Sequence, residues 1–521
     1  MLCVLLKLVI KKVKQKSIMN ERKIGILISY INIVLHAVIG FIYVPLLLHY
    51  IGKSEYGLYQ LIGSFIAYFS IMDFGLADTI VRFYANFKAV KDKTSMENIL
   101  AIAVRAYAVI AVMLLVAGYI FYINIEVVFV SSMSQTEISI AKKLFLLLLF
   151  NIVITFSTMI FRAVINANEK FLFLKGTETL QMVLQPVFVI LVLQQYPSAV
   201  AIAVVQTTLN ISLIIARCYY CFFKLKIKIK FHYFDKRLIS DMKKLALSVF
   251  IVVLIDQVFL KTNQVILGMV SGTIAVAIYS IASLIYMNYM ALSTAISGVY
   301  LPHVTEIVAK NEPVKKLSDL FIKIGRYQYY LLALVASGFI IFGRDFINIW
   351  AGRDFEEAYW ITLLIIIPFT IDLIQNIGLS IMQAQNRYDF RAKVYFIMGL
   401  FNLCLAIPLA KLYGGIGCAF ATGLSMFLGN GLIMNWYYLK VTKLDIFRFW
   451  KEIGKISICV VCLTLVGYVL YNYYNVNNVA EFIIGIVTYT VIYSLVVYKL
   501  CMNLSEREKV QKIFQKIVNI I

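Results

Sequence analysis

Fourteen apolar runs divide the chain, and they restrict its fold more than any other feature. Each is long enough to cross a bilayer as a helix, which needs about 20 mostly apolar residues, and too continuously apolar for the strands of an outer-membrane barrel. We therefore expect an all-α, polytopic membrane protein with about 14 transmembrane helices. The runs lie near residues 24–48, 57–81, 99–121, 144–164, 175–194, 198–220, 245–268, 275–300, 318–342, 361–385, 393–410, 415–438, 456–472 and 480–500.

The composition excludes the main alternatives to a membrane protein. Hydrophobic residues make up 62% of the 521 residues and charged residues 15%, and the mean hydropathy is +0.85. Soluble domains contain about 45–50% apolar and about 25% charged residues, and disordered chains are poorer still in apolar side chains. The net charge of +22 leaves a nucleic-acid partner to be considered.

Lysine and arginine are divided unequally between alternate connections of the predicted helices. Of the 49, 41 lie in the termini and in connections on one side, and six lie on the other side. The remaining two, Arg105 and Lys261, lie inside apolar runs. This is the positive-inside pattern, so both termini are predicted to be cytoplasmic. The positive charge then reflects topology and contact with inner-leaflet lipids, and we expect no nucleic-acid partner.

The first residues allow two interpretations. Leu2–Ile10 is too short to span a membrane, and no small-residue cleavage site follows it, so a signal peptide is not expected. A second possible start, Met19, directly precedes the first apolar run. Either the natural protein begins at Met19, or residues 1–23 form a basic amphipathic leader on the inner leaflet.

Two short motifs occur twice along the chain. Gly52–Tyr59 and Gly272–Tyr279 share a small-x4-small-apolar-Tyr pattern at an offset of 220, and Ile165–Phe171 resembles Met382–Tyr388 at an offset of 217. Corresponding motifs fall on matching sides of the predicted membrane. We therefore expect a duplicated six-helix unit, with parallel halves that enclose a cavity opening alternately to each side.

This repeat predicts two pseudo-symmetric lobes followed by two further helices. The basic connector between the lobes alternates lysine with apolar residues and either lies on anionic lipid or forms a solvated loop. The predicted segments are a leader at 1–23, an N-lobe at 24–222, the connector at 223–244, a C-lobe at 245–440, and helices 13 and 14 with a cytoplasmic tail at 441–521.

Several of these residues resemble those of a known family. Gly52–Tyr59, Asp73–Leu76, Met382–Tyr388 and Gly414–Gly417 look like the corresponding segments of bacterial polysaccharide (O-antigen or capsule) repeat-unit flippases of the Wzx type. These flippases belong to the multidrug/oligosaccharidyl-lipid/polysaccharide exporter superfamily. The resemblance covers roughly residues 20–500, and its motifs indicate the superfamily better than the substrate.

The resemblance implies a function and a set of partners. Such a protein moves an undecaprenyl-pyrophosphate-linked oligosaccharide from the cytoplasmic to the outer leaflet of the bacterial inner membrane, in several relatives with coupling to H⁺ or Na⁺. Membrane lipids are further partners, and the polysaccharide polymerase machinery is another candidate. A peptidoglycan-precursor flippase and a multidrug exporter of the same superfamily are the alternatives.

Ionisable groups inside apolar runs are the candidates for ion coupling, because burying them in a membrane is costly. His36 and Asp256 lie near mid-depth of the first helix of each lobe, and the repeat offset of 220 aligns them. Asp372 lies in the middle of the tenth run. The competing interpretation is that these groups are hydrogen-bonded structural residues.

Three cations are the candidates for substrate binding. Lys261 either meets the pyrophosphate or snorkels to the outer interface. Arg82 either meets the incoming phosphate or forms an interfacial i, i+4 pair with Asp78. Arg105 and Asp73 are predicted at similar depth on adjacent helices, so a structural ion pair is the preferred interpretation and substrate binding by Arg105 the alternative.

A membrane glycosyltransferase or polymerase is the rival from another functional class. The outer connections near 122–143 and 343–360 are too short for a catalytic domain, and Arg353–Glu357 is the one acidic cluster there. The sequence lacks a phosphate-cradling G-x-x-x-x-G-K-[ST] loop. We therefore expect a transporter without catalytic residues.

No bound cofactor or metal is expected either. Two C-x-x-C pairs, Cys218–Cys221 and Cys459–Cys462, lie in apolar runs without nearby histidine or carboxylate ligands, whereas zinc sites in soluble proteins combine such pairs with further ligands.

Overall fold

The computed structural model describes residues 2–233, 236–385, 387–474 and 478–518, and within these ranges every regular element is helical. Among the described residues, ten helices are long and apolar enough to cross a membrane, or eleven if one bent pair forms a single span. The predicted all-α, multi-pass membrane class is confirmed.

The difference between fourteen runs and ten or eleven helices has identifiable causes. Val34–Ala89 contains most of the first predicted run and all of the second, and Asp389–Lys440 contains the eleventh and twelfth runs. The bent pair, Arg353–Leu373 with Asn376–Ala384, contains the tenth run and changes direction by 42°. Lys236–Val270 contains the seventh run but is not among the ten, and several of its side chains lie outside the described ones.

The chain forms two compact units, Met1–Ala277 and Ile278–Ile521. This boundary does not test the predicted division into an N-lobe and a C-lobe, so that division stays a prediction. The helices of the first unit are α1 (Leu2–Phe69), α2 (Leu76–Ala89), α3 (Lys93–Phe129), α4 (Gln135–Ser157), α5 (Met159–Ala167), α6 (Phe171–Leu193), α7 (Ala199–Tyr219) and α8 (Lys236–Val270).

The second unit begins inside α9 (Gly272–Ser297) and carries the remaining helices. Short π-helical stretches follow α14 and α17. The remaining helices are α10 (Leu301–Ala309), α11 (Val314–Trp350), α12 (Glu357–Leu373), α13 (Asn376–Ala384), α14 (Tyr388–Met426), α15 (Met434–Lys440), α16 (Ile446–Tyr473), α17 (Val479–Val496) and α18 (Leu504–Val518).

Glycine breaks the two longest helices between their predicted runs. Gly52 in α1 has φ 71° and ψ 179°, and Gly414 in α14 has φ 56° and ψ −133°. Side chains with a β-carbon rarely adopt a positive φ, so glycine is the residue suited to these positions. Each break thus lies between two of the predicted runs.

Polar side chains mark where the membrane helices begin. Asp92 precedes α3 and accepts a hydrogen bond from the Ser95 amide at 3.0 Å. Ser134 and Glu137 form a reciprocal capping box at the start of α4. These side chains satisfy amide groups that have no partner within the helix itself.

A buried ion cluster attaches the last helix to the second unit. Arg326 on α11 is 3% exposed, and its guanidinium donates to Glu506 of α18 at 3.0 and 2.8 Å and to Glu452 of α16 at 2.6 Å. Burial disfavours ionisation of Glu506, but the hydrogen bonds from Arg326 outweigh it and hold the Glu506 pKa below its ordinary value. The start of α18 is therefore held by charge pairing.

The basic connector lies against the start of α3 where it is described. The side chain of Asn98 donates to the Tyr233 carbonyl at 2.9 Å and accepts from the His232 amide at 2.9 Å. Half-buried apolar residues alternate with exposed lysines at Lys224, Lys226, Lys228 and Lys230. Contact between these lysines and anionic lipid stays a prediction.

Candidate functional site

A line of buried polar contacts joins the part of α1 after Gly52 to the second half of α8. The Ser64 hydroxyl donates to the Gln264 side chain, and the hydroxyls of Tyr68 and Thr262 share a hydrogen bond. Ser64, Thr262 and Gln264 are all buried. We call these four residues the α1–α8 seam.

Glycine allows the two helices to approach each other closely at the seam. A β-carbon on Gly268 would overlap the Leu61 side chain, and one on Gly57 would overlap the Thr273 carbonyl at the start of α9. Close backbone approach through small residues is a common way for membrane helices to associate.

A carboxylate closes one end of the seam. Glu137 accepts hydrogen bonds from the hydroxyls of Ser54 and Thr273, the latter at 2.7 Å, and from the amide and hydroxyl of Ser134, each at 2.9 Å. The hydroxyls of Ser54 and Thr273 lie 3.2 Å apart. We call these four residues the Glu137 cluster, and it connects α1, α4 and α9.

Lys261 directly precedes Thr262 of the seam and is half-buried. Its ammonium group has no hydrogen-bond or ion-pair partner among the side chains that the structure describes. An ammonium group without a counter-charge is costly to remove from water. Of the three cations predicted to bind substrate, Lys261 is the one next to a seam residue along the chain.

The other two predicted cations lie elsewhere in the first unit. Arg82 and Asp78 on α2 are both exposed, and they form no ion pair with each other. The guanidinium of Arg105, also exposed, lies 3.9 Å above the Phe231 ring. Asp73 accepts instead from the Tyr107 hydroxyl at 2.9 Å. The ion pair expected between Asp73 and Arg105 is therefore replaced by two separate contacts.

The structure locates two of the three residues predicted to couple ions. His36 is exposed on α1. Asp256 belongs to α8, but its side chain lies outside the described ones. Asp372 on α12 is half-buried and accepts from the Tyr395 hydroxyl at 3.0 Å, while Arg391 donates to the same hydroxyl at 3.0 Å. Asp372 thus belongs to a polar network of the second unit.

Metal ligands are not grouped in the part of the chain that the structure describes. Among the described residues, no three histidine, cysteine, aspartate or glutamate side chains lie close enough together to hold a metal ion. In the acidic segment near Arg353, Glu356 is bonded to Arg344, so this carboxylate has a structural partner.

Comparison with known proteins identifies the family. Residues 23–308, more than half of the chain, match the model of a family described as "Polysaccharide biosynthesis protein". The chain belongs to this family. Its predicted relationship to the exporter superfamily is thereby supported, and the bacterial Wzx type remains a narrower proposal.

One relative of this polysaccharide biosynthesis family member is named as a probable flippase. The probable flippase AglR of Haloferax volcanii is 25% identical over 260 residues, which cover 49% of this chain and 52% of AglR. The match thus spans about half the length of that relative.

Solved structures share the fold. The lipid II flippase MurJ in an inward closed conformation has a TM-score of 0.71 at 17% identity, covering 91% of this chain and 99% of MurJ. An inward-facing multidrug resistance MATE family transporter of the MOP superfamily has a TM-score of 0.61 at 13% identity. The match covers 80% of this chain and 96% of that transporter. At these identities the likeness concerns the fold alone.

Sequence reasoning about this family member missed the Glu137 cluster. Two signals were present, because Ser134-x-x-Glu137 is a capping-box pattern and Ser54 and Thr273 lie within the two copies of the repeated motif. Neither signal indicates that one carboxylate bonds to both copies, since that depends on the packing of α1, α4 and α9.

Proposed function

We propose that the protein is a flippase for a lipid-linked oligosaccharide with an anionic head group. The observation that carries this proposal is the half-buried Lys261, without a described partner, next to a residue of the polar α1–α8 seam in a member of the polysaccharide biosynthesis family. Such a cation suits the phosphates that link a sugar to its lipid carrier.

The physical problem of flipping explains why a polar seam is useful. A sugar–pyrophosphate group does not cross hydrocarbon unaided, because its charges and hydroxyls lose their hydration. Seam residues such as Ser64 and Gln264 replace part of that hydration when the seam opens. The hydrocarbon tail of the carrier remains in the surrounding lipid.

The α1–α8 seam and the Glu137 cluster provide a closure that can be broken. A few side-chain hydrogen bonds hold helices that otherwise pack through glycine, and each such bond has a modest net free energy, about 1 kcal/mol. In our proposal the head group exchanges these bonds for its own and contacts Lys261 while the seam is open.

The finer features of the function belong to the same proposal. The carrier is undecaprenyl pyrophosphate, the membrane is the bacterial inner membrane with both chain termini cytoplasmic, and the sugar units go to a polysaccharide polymerase. Coupling to H⁺ or Na⁺ involves His36, Asp256 and Asp372. Arg82 and Arg105, both exposed, bind the head group at earlier or later stages.

Lys261, without a partner among the described residues, separates this function from one of its two alternatives. A multidrug exporter for cationic drugs needs an anionic cavity, whereas the seam offers an ammonium group. A peptidoglycan-precursor flippase handles the same lipid pyrophosphate chemistry, so only the substrate that accumulates in a deletion strain distinguishes it.

A deletion strain tests the proposed function. Lipid-linked repeat units should accumulate on the cytoplasmic leaflet and surface polysaccharide should be lost, and the intact gene should restore both. Normal surface polysaccharide in the deletion strain would exclude the proposal, and accumulation of a peptidoglycan precursor would favour the alternative flippase. Full transport by a His36→Gln, Asp256→Asn double variant would exclude ion coupling through these residues.

A further inference from the structure

Three cationic side chains from three helices converge on one carboxylate in the first unit. Glu178 Oε1 lies 3.1 Å from Arg162 Nη2 and 3.3 Å from Arg217 Nη2, and its Oε2 accepts from Lys175 Nζ at 3.0 Å. Arg162 belongs to α5, Lys175 and Glu178 to α6, and Arg217 to α7. We call these four residues the Glu178 cluster, and it has a formal excess of two positive charges.

The cluster is enclosed on one side and open on the other. The Arg217 and Glu178 side chains are 12% and 20% exposed, whereas those of Lys175 and Arg162 are 31% and 42% exposed. The Nε of Arg217 has no hydrogen-bond acceptor within the described part of the chain. Buried donors without a partner are uncommon in folded proteins, so this one calls for an explanation.

One carboxylate is not enough to neutralise this group. Among the described residues the three cations share this one carboxylate, which leaves a formal excess of two positive charges in a partly buried position. The surrounding protein and lipid screen charge weakly there. A ligand with one or two negative charges and several oxygen acceptors would compensate them. Guanidinium groups match phosphate oxygens well because their N–H groups form a planar fork.

The cluster is not needed merely to hold the helix ends together. The rings of Phe173 and Tyr220 stack with centroids 4.0 Å apart, and the Cys221 thiol bonds to the Phe161 carbonyl at 3.5 Å. These contacts already join α5 and α6 to the short helical stretch Tyr220–Lys224 that directly follows α7. The excess charge therefore has no evident structural purpose.

The position of the cluster favours a phosphate carried by a lipid. Arg162, Lys175 and Arg217 lie at the helix ends that the charge distribution predicts to be cytoplasmic, where lipid head groups reside. The exposed lysines of the connector begin at Lys224, seven residues after Arg217. Such lysines attract anionic lipid to the nearby surface.

We propose that the Glu178 cluster is a binding site for the phosphate of a lipid head group, supplied by an anionic phospholipid or by the diphosphate of the transported carrier lipid. Arg162 and Lys175 contact the phosphate from the open side, and Arg217 donates to it from the enclosed side. The diphosphate source rests on the proposed function, whereas the phospholipid source does not.

The test measures binding to the purified full-length protein, without transport. The probes are farnesyl diphosphate and a short-chain phosphatidylglycerol, each titrated against the protein in neutral detergent and quantified as bound adducts by native mass spectrometry. Arg162→Gln removes the most exposed cation and should weaken binding about fivefold, since a charge-assisted contact to a partly exposed site is lost. Lys93→Gln, an exposed cation at the start of α3, is the matched control and should change nothing.

Glu178→Gln separates a binding site from a structural ion pair. Removal of the competing carboxylate should strengthen phosphate binding about fivefold, because the cluster gains net positive charge. A structural ion pair predicts instead a lower unfolding temperature and no gain in binding, and that result would overturn the proposal. The proposal would also be overturned if the Arg162→Gln and Lys93→Gln variants bound both probes with the same affinity.

The two probes distinguish the sources of the phosphate. If Arg162→Gln weakens the binding of phosphatidylglycerol alone, the phosphate belongs to a membrane phospholipid. If it weakens the binding of farnesyl diphosphate alone, the phosphate belongs to the carrier lipid. Weaker binding of both probes identifies a general phosphate site. Because transport is not measured, failure of the flippase proposal leaves the phospholipid result unaffected.

Discussion

Gly57 lies directly against the main-chain carbonyl of Thr273, so closely that a β-carbon on Gly57 would overlap the carbonyl oxygen. The two residues belong to the two copies of the motif that the sequence repeats at Gly52–Tyr59 and Gly272–Tyr279. The repeated segments therefore meet each other within the first unit, at the end of the α1–α8 seam.

This contact predicts that any side chain at Gly57 opens the seam. Gly57→Val should destabilise the protein by about 2 kcal/mol, because overpacking at a close backbone contact forces the helices apart. The measurement is the thermal unfolding temperature in detergent, together with the transport rate in vesicles. Gly63→Ala is the matched control, since Gly63 lies in the same helix with open space around it. Equal unfolding temperatures for both variants would contradict the close contact between Gly57 and the Thr273 carbonyl.

The Glu137 cluster predicts that the closed seam can be locked reversibly. The hydroxyls of Ser54 and Thr273 lie 3.2 Å apart, so cysteines at both positions should form a disulfide on oxidation. The eight native cysteines are first replaced. Transport should stop in the oxidised protein and return on reduction, and each single cysteine variant should be insensitive. Transport at the full rate in the cross-linked protein would show that the seam does not need to open.

Lys261 predicts opposite effects on stability and transport. Lys261→Gln should raise the unfolding temperature, because it removes a half-buried charge without a described partner. The same variant should reduce transport about tenfold, since one charge-assisted contact to the head group is lost, and Lys261→Arg should retain more activity. Lys411→Gln, at an exposed position, controls for the loss of one charge. Unchanged transport in Lys261→Gln would remove Lys261 from the substrate path.

The buried ion cluster predicts how the last helix responds to mutation. Glu506→Gln should cost about 3 kcal/mol, because it removes one of the two carboxylates that pair with the buried Arg326, and should expose α18 to limited proteolysis. Glu508→Gln in the same helix is exposed and should have no effect. Equal proteolysis of both variants would show that Glu506 does not hold α18.

The same cluster predicts a pH dependence with a definite sign. Because the folded-state pKa of Glu506 is lowered from its ordinary 4.5, its ionised form stabilises the folded state at neutral pH. That contribution is fully present above pH 4.5 and is lost as pH falls through the lower folded-state pKa. The difference in unfolding temperature between the native protein and Glu506→Gln should therefore shrink on acidification. A constant difference across this range would contradict the charge pairing.

Hydropathy was enough to predict the helical class and the positions of membrane-length segments. The free energy of placing a residue in hydrocarbon is nearly additive along the chain, so runs such as 99–121 identify helices without any knowledge of their neighbours. Glycine at Gly52 also lies between two predicted runs, where the helix breaks. The repeated motif indicated which segments correspond to each other.

Partner choice could not be predicted in the same way. Equal depth suggested an ion pair between Asp73 and Arg105, yet Asp73 bonds to Tyr107 and Arg105 lies on Phe231. Depth specifies a position along a helix but not the direction in which a side chain points around it. Arg326, counted from the sequence as a topological charge, is buried against Glu506, 180 residues away.

The sequence by itself thus determined that this chain is a multi-pass helical membrane protein, and it showed that one short motif occurs twice along the chain. Only the tertiary structure decided that Gly57 meets Thr273, that Glu137 bonds to both repeat copies, and that Glu178 gathers three cations. The reason is that partition into a membrane depends on each residue separately, whereas pairing depends on the rotation and packing of helices that are distant in sequence.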